Sequence, residues 1–519
     1  MSAPIPTTNL AALLLQTARR FPDRHAVIRG EQIWTWGETA SRVRAAAAAL
    51  IEAGLRPGDR VLLHSRNSAA MLETMWATWM AGGVWVPTNF RLTPPEVAYL
   101  AQSSGAAVHI FDAAFPEHAA AAREENANVR AELVLGGEGG ASDWEHLADY
   151  ADPLLSPVDV AFDHPAWFFY TSGTTGRPKA AGLTHGQLHF VINNHLADLI
   201  PGTTERDVSL VLAPLSHGAG VHALLQVARG AASMLLGRDR LDCEEAWQLV
   251  ERHKVTNMFT VPTILTMLTR HDAVDRYDHS SLRYVIYAGA PMYRADQKHA
   301  LTKLGPVLVQ YFGLGEVTGA ITVLPPQLHS VDDEKMPVGS CGYPRTGMEI
   351  TILDAENRPL ADGETGEICV RGPAVMAGYF DNEEANRKAF AGGWFHTGDL
   401  GHLDARGFVY ITGRASDMYI SGGSNVYPRE IEELLLTHPA VREACVVGMP
   451  HPKWGECGVA VLVTNASVEH EELWGFLEGR LAKYKWPARF VFWPELPKSG
   501  YGKVTKRDVK RLLEERHHG

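Results

Sequence analysis

The run Tyr170-Thr171-Ser172-Gly173-Thr174-Thr175-Gly176-Arg177-Pro178-Lys179 packs hydroxyls, glycines and two cations together without a gap. Glycine lets the backbone turn its N–H groups inward at little steric cost. N–H groups and hydroxyls that converge on one point make a concavity for an anion. Arg177 and Lys179 add positive charge, so the chemistry to expect is a phosphate clamp. It differs from the Walker pattern, in which Gly-Lys-Ser/Thr opens a helix. Here Arg177-Pro178 separates Gly176 from Lys179, Ala180 follows the lysine, and Pro178 disfavours helix at Arg177. A Ser/Thr/Gly surface loop has the same composition. What sets this stretch apart is the apolar, aromatic run before it, Ala166-Trp167-Phe168-Phe169-Tyr170, which reads as a strand, and the cations at its end.

A second segment, Gln310-Tyr311-Phe312-Gly313-Leu314-Gly315-Glu316, ends a strand and presents an acid. Alone, Glu316 reads as a solvated loop carboxylate. Beside a triphosphate clamp, an acid suits Mg²⁺, which prefers oxygen ligands and substrate phosphates.

The 170–179 stretch closely resembles the signature of the adenylate-forming superfamily, which takes in acyl- and aryl-CoA synthetases, peptide-synthetase adenylation domains and luciferases. Further motifs follow in that family's order over nearly the whole chain. The resemblance implies that Thr171, Ser172, Gly173, Thr174, Thr175, Gly176 and Lys179 contact the nucleotide, with Thr174 and Glu316 at the magnesium ion. It makes Gly289, Ala290 and Pro291 a wall of the adenine site, adds Tyr311, Phe312 and Gly313 to the cofactor contacts, and also sets Tyr311 and Gly313 along the acyl pocket. Trp394-Phe395-His396-Thr397-Gly398-Asp399 matches an aromatic-x-Thr-Gly-Asp motif, giving Asp399 the ribose hydroxyls; Gly413-Arg414 gives Arg414 ribose or phosphate contacts. Leu496-Pro497-Lys498-Ser499-Gly500-Tyr501-Gly502-Lys503 matches the motif that carries the catalytic lysine, here Lys503, whereas Lys506 and Lys510 read as solvated charges. His217, Val221 and Gly315 fall at acyl-pocket positions. Gly422 and Gly423 fall in the loop that meets the pantetheine arm of CoA. Lys483, Tyr484-Lys485-Trp486-Pro487 and Arg489 fall near its nucleotide.

Two positions depart from the family pattern. Gly315 stands where most members have threonine, which removes a phosphate contact and is expected to widen the acyl site. Ser416 stands at the hinge, where Asp or Lys is usual. The activity implied is an ATP-dependent carboxylic acid:CoA ligase using ATP, Mg²⁺ and coenzyme A on a medium-chain or aryl acid. Two other readings stay open: a stand-alone amino-acid or acyl adenylation enzyme without CoA, and a catalytically silent nucleotide-binding protein. Against the first, Pro214-Leu215-Ser216-His217 offers no acid for a substrate ammonium.

These residues need a scaffold, and the pattern around them is alternating. Helices are expected over 10–20, 38–53 and 69–80, and over 94–102 behind the Thr93-x-x-Glu96 capping box. Apolar strands are expected over 33–36, 60–64, 84–87, 108–111, 208–212, 255–259 and 284–287. That alternation argues for layered α/β sheets, largely parallel, with ligands gathering at the strands' carboxyl ends. From about 349, short strands between Gly/Asp/Asn turns predict an antiparallel, barrel-like section. From about 427 the chain reads as compact α+β. Hence a large domain over 1–414 and a small, mobile C-terminal domain over 415–519 are expected.

At 519 residues the chain has ample core for more than one domain. A formal net charge of −12 argues against a general nucleic-acid binder. The five cysteines are scattered with no CxxC pair, so neither zinc nor a disulfide framework is indicated, and reduced thiols in a cytoplasm are expected. The N-terminus lacks the charged and apolar blocks of a signal peptide, and no apolar run is long enough to span a bilayer. A homodimer is one assembly open to such a chain.

Overall fold

The computed structural model describes residues 7–137, 142–149, 152–172, 177–238, 240–290, 292–421, 424–498 and 504–516. Local signals explain several helix starts. Thr35 accepts from the Glu38 backbone while the Glu38 carboxylate bonds back to Thr35, a reciprocal cap that opens the Trp36–Glu52 helix. That cap ends the expected strand at Thr35, so Trp36 is helical rather than extended. The same device at Thr93 and Glu96, with proline in the first turn, opens Pro94–Ser104, which stops at left-handed Gly105.

Among the described residues, two mostly parallel sheets form the large N-terminal part. One orders Ala131–Leu135, Val108–Asp112, Arg60–His64, Val84–Thr88, Pro165–Ser172 and Pro178–Thr184. Its last pair is antiparallel, with Thr171 opposite Lys179. The other orders Leu308–Gln310, Tyr284–Tyr287, Asn257–Thr260, Val208–Val211, Ala232–Leu235, His25–Arg29 and Gln32–Thr35. The aromatic strand Pro165–Ser172 is buried on both faces, which is why it reads as a continuous apolar run rather than an alternation. Trp167 and Phe169 join the largest core cluster, while Phe168 and Tyr170 pack in a separate one on the opposite face.

The section expected to be barrel-like is instead an open antiparallel sheet of four strands: Glu349–Leu353, Gly366–Arg371, Phe395–Leu403 and Val409–Arg414. Its first and last strands are not paired to each other among the described residues, so it does not close. The small C-terminal part centres on the long antiparallel pair Val441–His451 and Gly455–Thr464, with Arg489–Phe492 parallel to the second. Helices Pro428–Leu435 and His470–Leu477 contribute to one hydrophobic cluster and Lys506–Glu515 to another. The five cysteines are free thiols, three of them buried. No helix of the described residues is long and apolar enough to cross a membrane.

Several histidines are built into the packed layers. Burial, the largest cause in each case, drives the imidazoles of His64, His185 and His222 down to about 3 and that of His109 to about 4. In the unfolded chain they protonate near pH 6.5. Between those values the unfolded state therefore holds more protons, and stability falls as pH drops through that window. Each such group contributes a slope of about 1.4 kcal/mol per pH unit inside it. The urea midpoint is expected to decline steadily from pH 6.5 towards pH 4.5. A flat midpoint across that range would contradict neutral burial of these rings.

Candidate functional site

A single cavity of about 1710 Å³ runs from the ends of both parallel sheets to the C-terminal part. Its wall includes Thr171, Arg177, His217, Val221, Gly289, Tyr311, Gly313, Gly315, Glu316, Arg414 and Ser416. These are residues from segments far apart in sequence, gathered where the open-sheet rule directs a search. Lys179, Ala290, Phe312 and Asp399 are not part of that wall. Gly173, Thr174, Thr175, Gly176, Pro291, Gly422, Gly423 and Lys503 lie outside the described residues, as does the side chain of Ser172. Lys498 before residues 499–503 and Thr505 two positions after them both line the cavity.

The carboxylate of Glu316 is the node of the site. It sits in the short 3-10 turn Gly315–Val317 and is buried. Thr171 Oγ1, at the end of its strand, donates to Glu316 Oε1 at 2.7 Å. Tyr379 Oη donates to the same oxygen at 2.9 Å. Burial first, and the charge of Glu316 second, push the Tyr379 phenol well up, so it stays protonated as a donor. Lys179 places its Nζ 4.5 Å from the centre of the Tyr379 ring. The hairpin of Pro165–Ser172 and Pro178–Thr184 and the acid thus meet at one carboxylate oxygen, shared by Thr171 and Tyr379, and a cation stands on the tyrosine's face.

Tyr379 was not legible from sequence. It lies after the Gly366–Arg371 strand and reaches Glu316 because its loop is pinned both to the Glu316 backbone, through Met376 N donating to Glu316 O at 2.7 Å, and to the 165–184 hairpin. Ala377 N donates to Gly182 O at 3.0 Å and Gly182 N to Gly378 O at 2.8 Å, extending that hairpin edge. Gly378, at φ +139°, makes the turn in a conformation other residues rarely adopt. Asn386 Oδ1 accepts from Tyr379 N at 2.6 Å. The Gly378-Tyr379 pair beside Asn386 is the only trace of this in the chain's own order.

The second charged pair is set by strand register. Asp399 and Arg414 face each other across Phe395–Leu403 and Val409–Arg414, and Arg414 Nε meets Asp399 Oδ1 at 3.0 Å. Asp399 is buried and Arg414 is exposed towards the cavity. Glu367, from the adjoining strand, braces this motif. It pairs with His396 Nδ1 at 2.8 Å and accepts from Gly398 N at 2.9 Å. Glu367 was also missed, because its link to the motif runs across the sheet rather than along the chain.

At the far end, His217 caps the Gly218–Arg229 helix position and packs edge-on against Phe169, ring centres 4.8 Å apart. Phe259, His222 and Tyr311 stack in near-parallel, Phe259 and His222 at 4.5 Å. Gly313 is required by close approach: a Cβ there would lie 2.3 Å from Gly319 Cα. The expected widening at Gly315 does not occur. A Cβ on Gly315 would lie 2.5 Å from Phe169 Cδ1 and 2.9 Å from Thr171 Cγ2, so neighbouring side chains already fill the space.

Lys506 also departs from expectation. It is paired and part-buried rather than a free charge; its Nζ meets Glu432 Oε1 at 2.7 Å and donates to Val446 O at 3.2 Å. Burial, the largest single influence, lowers its pKa, but the charge and hydrogen bond of Glu432 together with Cys445 and Asp417 outweigh it and the net direction is up. The first turn of Lys506–Glu515 faces the central strand pair of the C-terminal part, which no charge count along the chain reveals.

The pair of parallel sheets, the appended small part and the carboxylate-centred cavity define an α/β protein with one large cavity at the ends of its sheets. Residues 14–380 match the AMP-binding enzyme family model and residues 430–503 the AMP-binding enzyme C-terminal domain model. The chain is 37% identical over 501 residues to a feruloyl-CoA synthase from Amycolatopsis sp., covering 96% of this chain and 97% of that one. It is 35% identical over 501 residues to a 2-succinylbenzoate–CoA ligase from Bacillus velezensis, with 96% and 97% covered. Among solved structures, o-succinylbenzoate CoA synthetase from Bacillus subtilis, in complex with its acyl-adenylate intermediate, superposes with a TM-score of 0.85 at 31% identity. That match covers 98% of this chain and 99% of the other. The chain belongs to the AMP-binding enzyme family, the adenylate-forming acyl- and aryl-CoA synthetases.

Proposed function

We propose that this protein is an ATP-dependent acid:CoA ligase acting on an aryl acid. The acid's carboxylate attacks the α-phosphorus of ATP, pyrophosphate leaves, and an acyl-adenylate forms. The CoA sulfur then attacks the acyl carbon and AMP leaves. The observation that carries this reading is the Thr171–Glu316–Tyr379 node on the wall of a cavity that also takes in Arg414 and the acyl-pocket positions His217 and Val221.

The first step brings negative charges together, so catalysis is mainly positioning plus cationic stabilisation. In this reading Thr171 and the clamp through Lys179 hold the phosphates. Gly289, Ala290 and Pro291 flank the adenine, and Asp399 and Arg414 hold the ribose. Glu316, with Thr174, supplies oxygen ligands of the kind Mg²⁺ favours, and the ion, when bound, neutralises phosphate charge. Lys503 neutralises charge on the reacting phosphate. Residues 1–414 and 415–519 act as two domains. The smaller one turns about Ser416, which is exposed at the cavity rim, so that Lys503 withdraws and Gly422 and Gly423 meet the pantetheine arm. The hydrophobic clusters divide near this point: the largest reaches Ile411, and the first C-terminal one starts at Tyr419. Scattered free thiols suit a reducing cytoplasm.

The test is a panel of aryl and aliphatic carboxylic acids, assayed for AMP with and without CoA. AMP released in the presence of an aryl acid and CoA, with acyl-CoA formed in equal amount, is the expected result. No AMP with any acid would point to a catalytically silent nucleotide binder. Full turnover without CoA would point to a different acceptor.

A further inference from the structure

Resting on the acid:CoA ligase reading, we infer that Phe169 is a specificity-determining residue, matched to Gly315, that restricts the substrate to acids with no branch on the carbon next to the carboxylate. Gly315 is not among the residues with positive φ, so its backbone does not call for glycine. Space does. A Cβ at 315 would lie 2.5 and 2.6 Å from two Phe169 ring carbons, far inside contact distance. The ring has taken the volume that a side chain at 315 would need.

The position of that ring relative to the reacting end follows from strand geometry. Phe169 and Thr171 point to the same face of one strand, about 7 Å apart. Thr171 marks the phosphate end through its bond to Glu316. An acid whose carboxylate reaches that end must send its next carbon past Phe169. The ring is held there from two sides, edge-on to His217 at 4.8 Å and tilted against Trp167 at 5.7 Å. It is 8% exposed, and that exposed part lines the cavity together with His217. A flat or methylene carbon passes over the exposed edge of the Phe169 ring; a methyl branch meets that edge. The Gly315 departure therefore narrows the mouth of the acyl site through Phe169.

The experiment compares kcat/KM for 3-phenylpropanoate and its 2-methyl derivative in the wild-type protein, Phe169→Leu, Gly315→Ala and the double variant. If 3-phenylpropanoate is not used, the best acid of the panel and its 2-methyl derivative take its place. The unbranched acid is expected to be favoured at least about tenfold in the wild type, the size of one methyl group in a tight pocket. Phe169→Leu is expected to cut that ratio about tenfold, chiefly by lowering KM for the branched acid. Gly315→Ala is expected to lose activity on both acids, and adding Phe169→Leu to restore it. Use of both acids within twofold by the wild type would overturn the inference, as would an unchanged ratio in a Phe169→Leu protein of native melting temperature. If that variant does not fold, the wild-type ratio decides. AMP from no acid at all would overturn the ligase reading first, and this inference with it.

Discussion

Lys503→Ala is expected to lose adenylate formation by a factor on the order of 10² to 10³ while still converting supplied acyl-adenylate and CoA to thioester. The size is that of removing one well-aimed donor from a developing negative charge. Transfer of the adenylyl group gathers charge on the α-phosphate and the departing pyrophosphate, and a lysine ammonium is a compact cation that can meet it. Lys498 and Thr505, on either side of 499–503, line the same cavity as Thr171 and Glu316. The thioester step needs no cation at that phosphate, only that the sulfur can approach. Single-turnover pyrophosphate release reports the first step, and acyl-CoA formed from chemically prepared adenylate reports the second. Equal loss of both would count against a lysine that serves one step and then withdraws.

Glu316→Gln is expected to lower adenylate formation by about a hundredfold and to raise the magnesium concentration needed for half-maximal rate. The substitution keeps the volume and one carbonyl acceptor for Thr171 and Tyr379, which both donate to Glu316 Oε1. What it removes is the charge, and a neutral amide is a poor ligand for a hard cation. Glu316→Ala goes further, because it leaves two hydroxyl donors without their acceptor in a half-closed wall. Tyr379→Phe separates the contributions. It deletes one hydrogen bond to a charged group, worth roughly 1.5–3 kcal/mol, and is expected to slow the first step by about tenfold or more with little change in magnesium dependence. A magnesium profile in Glu316→Gln that overlays the wild type would remove the metal role from this carboxylate.

The motif residues were legible because each is carried by a contiguous run. Thr171 and Lys179 belong to one hairpin, Glu316 ends its own strand-turn segment, and Asp399 and Arg414 each close a short motif. Element starts were legible wherever a side chain caps its own helix, as at Thr93 and Glu96. Where the cap was overlooked, at Thr35 and Glu38, the expected strand ran one residue too far. Such signals act over three or four residues, so a sequence carries them whole.

Tyr379, Glu367, Lys506 and the fit of Phe169 to Gly315 are of another kind. Tyr379 meets a carboxylate 63 residues away and Lys506 stands beside Val446, 60 residues away. Along the chain the missing side chain at 315 implies open space; in the fold the Phe169 ring fills it. The barrel-like texture after 349 had the same origin: turn spacing predicts antiparallel strands but says nothing about whether the outer two meet. By itself, then, the order of residues determined the family, the alternating α/β scaffold and the charged groups available for phosphate chemistry, because backbone periodicity and motif spacing are local properties. Only the tertiary structure decided which hydroxyls share the Glu316 oxygen, which cations are already paired, and how closely the Phe169 ring fits against Gly315. Those depend on ångström-scale placement of strands and loops that chain order leaves free.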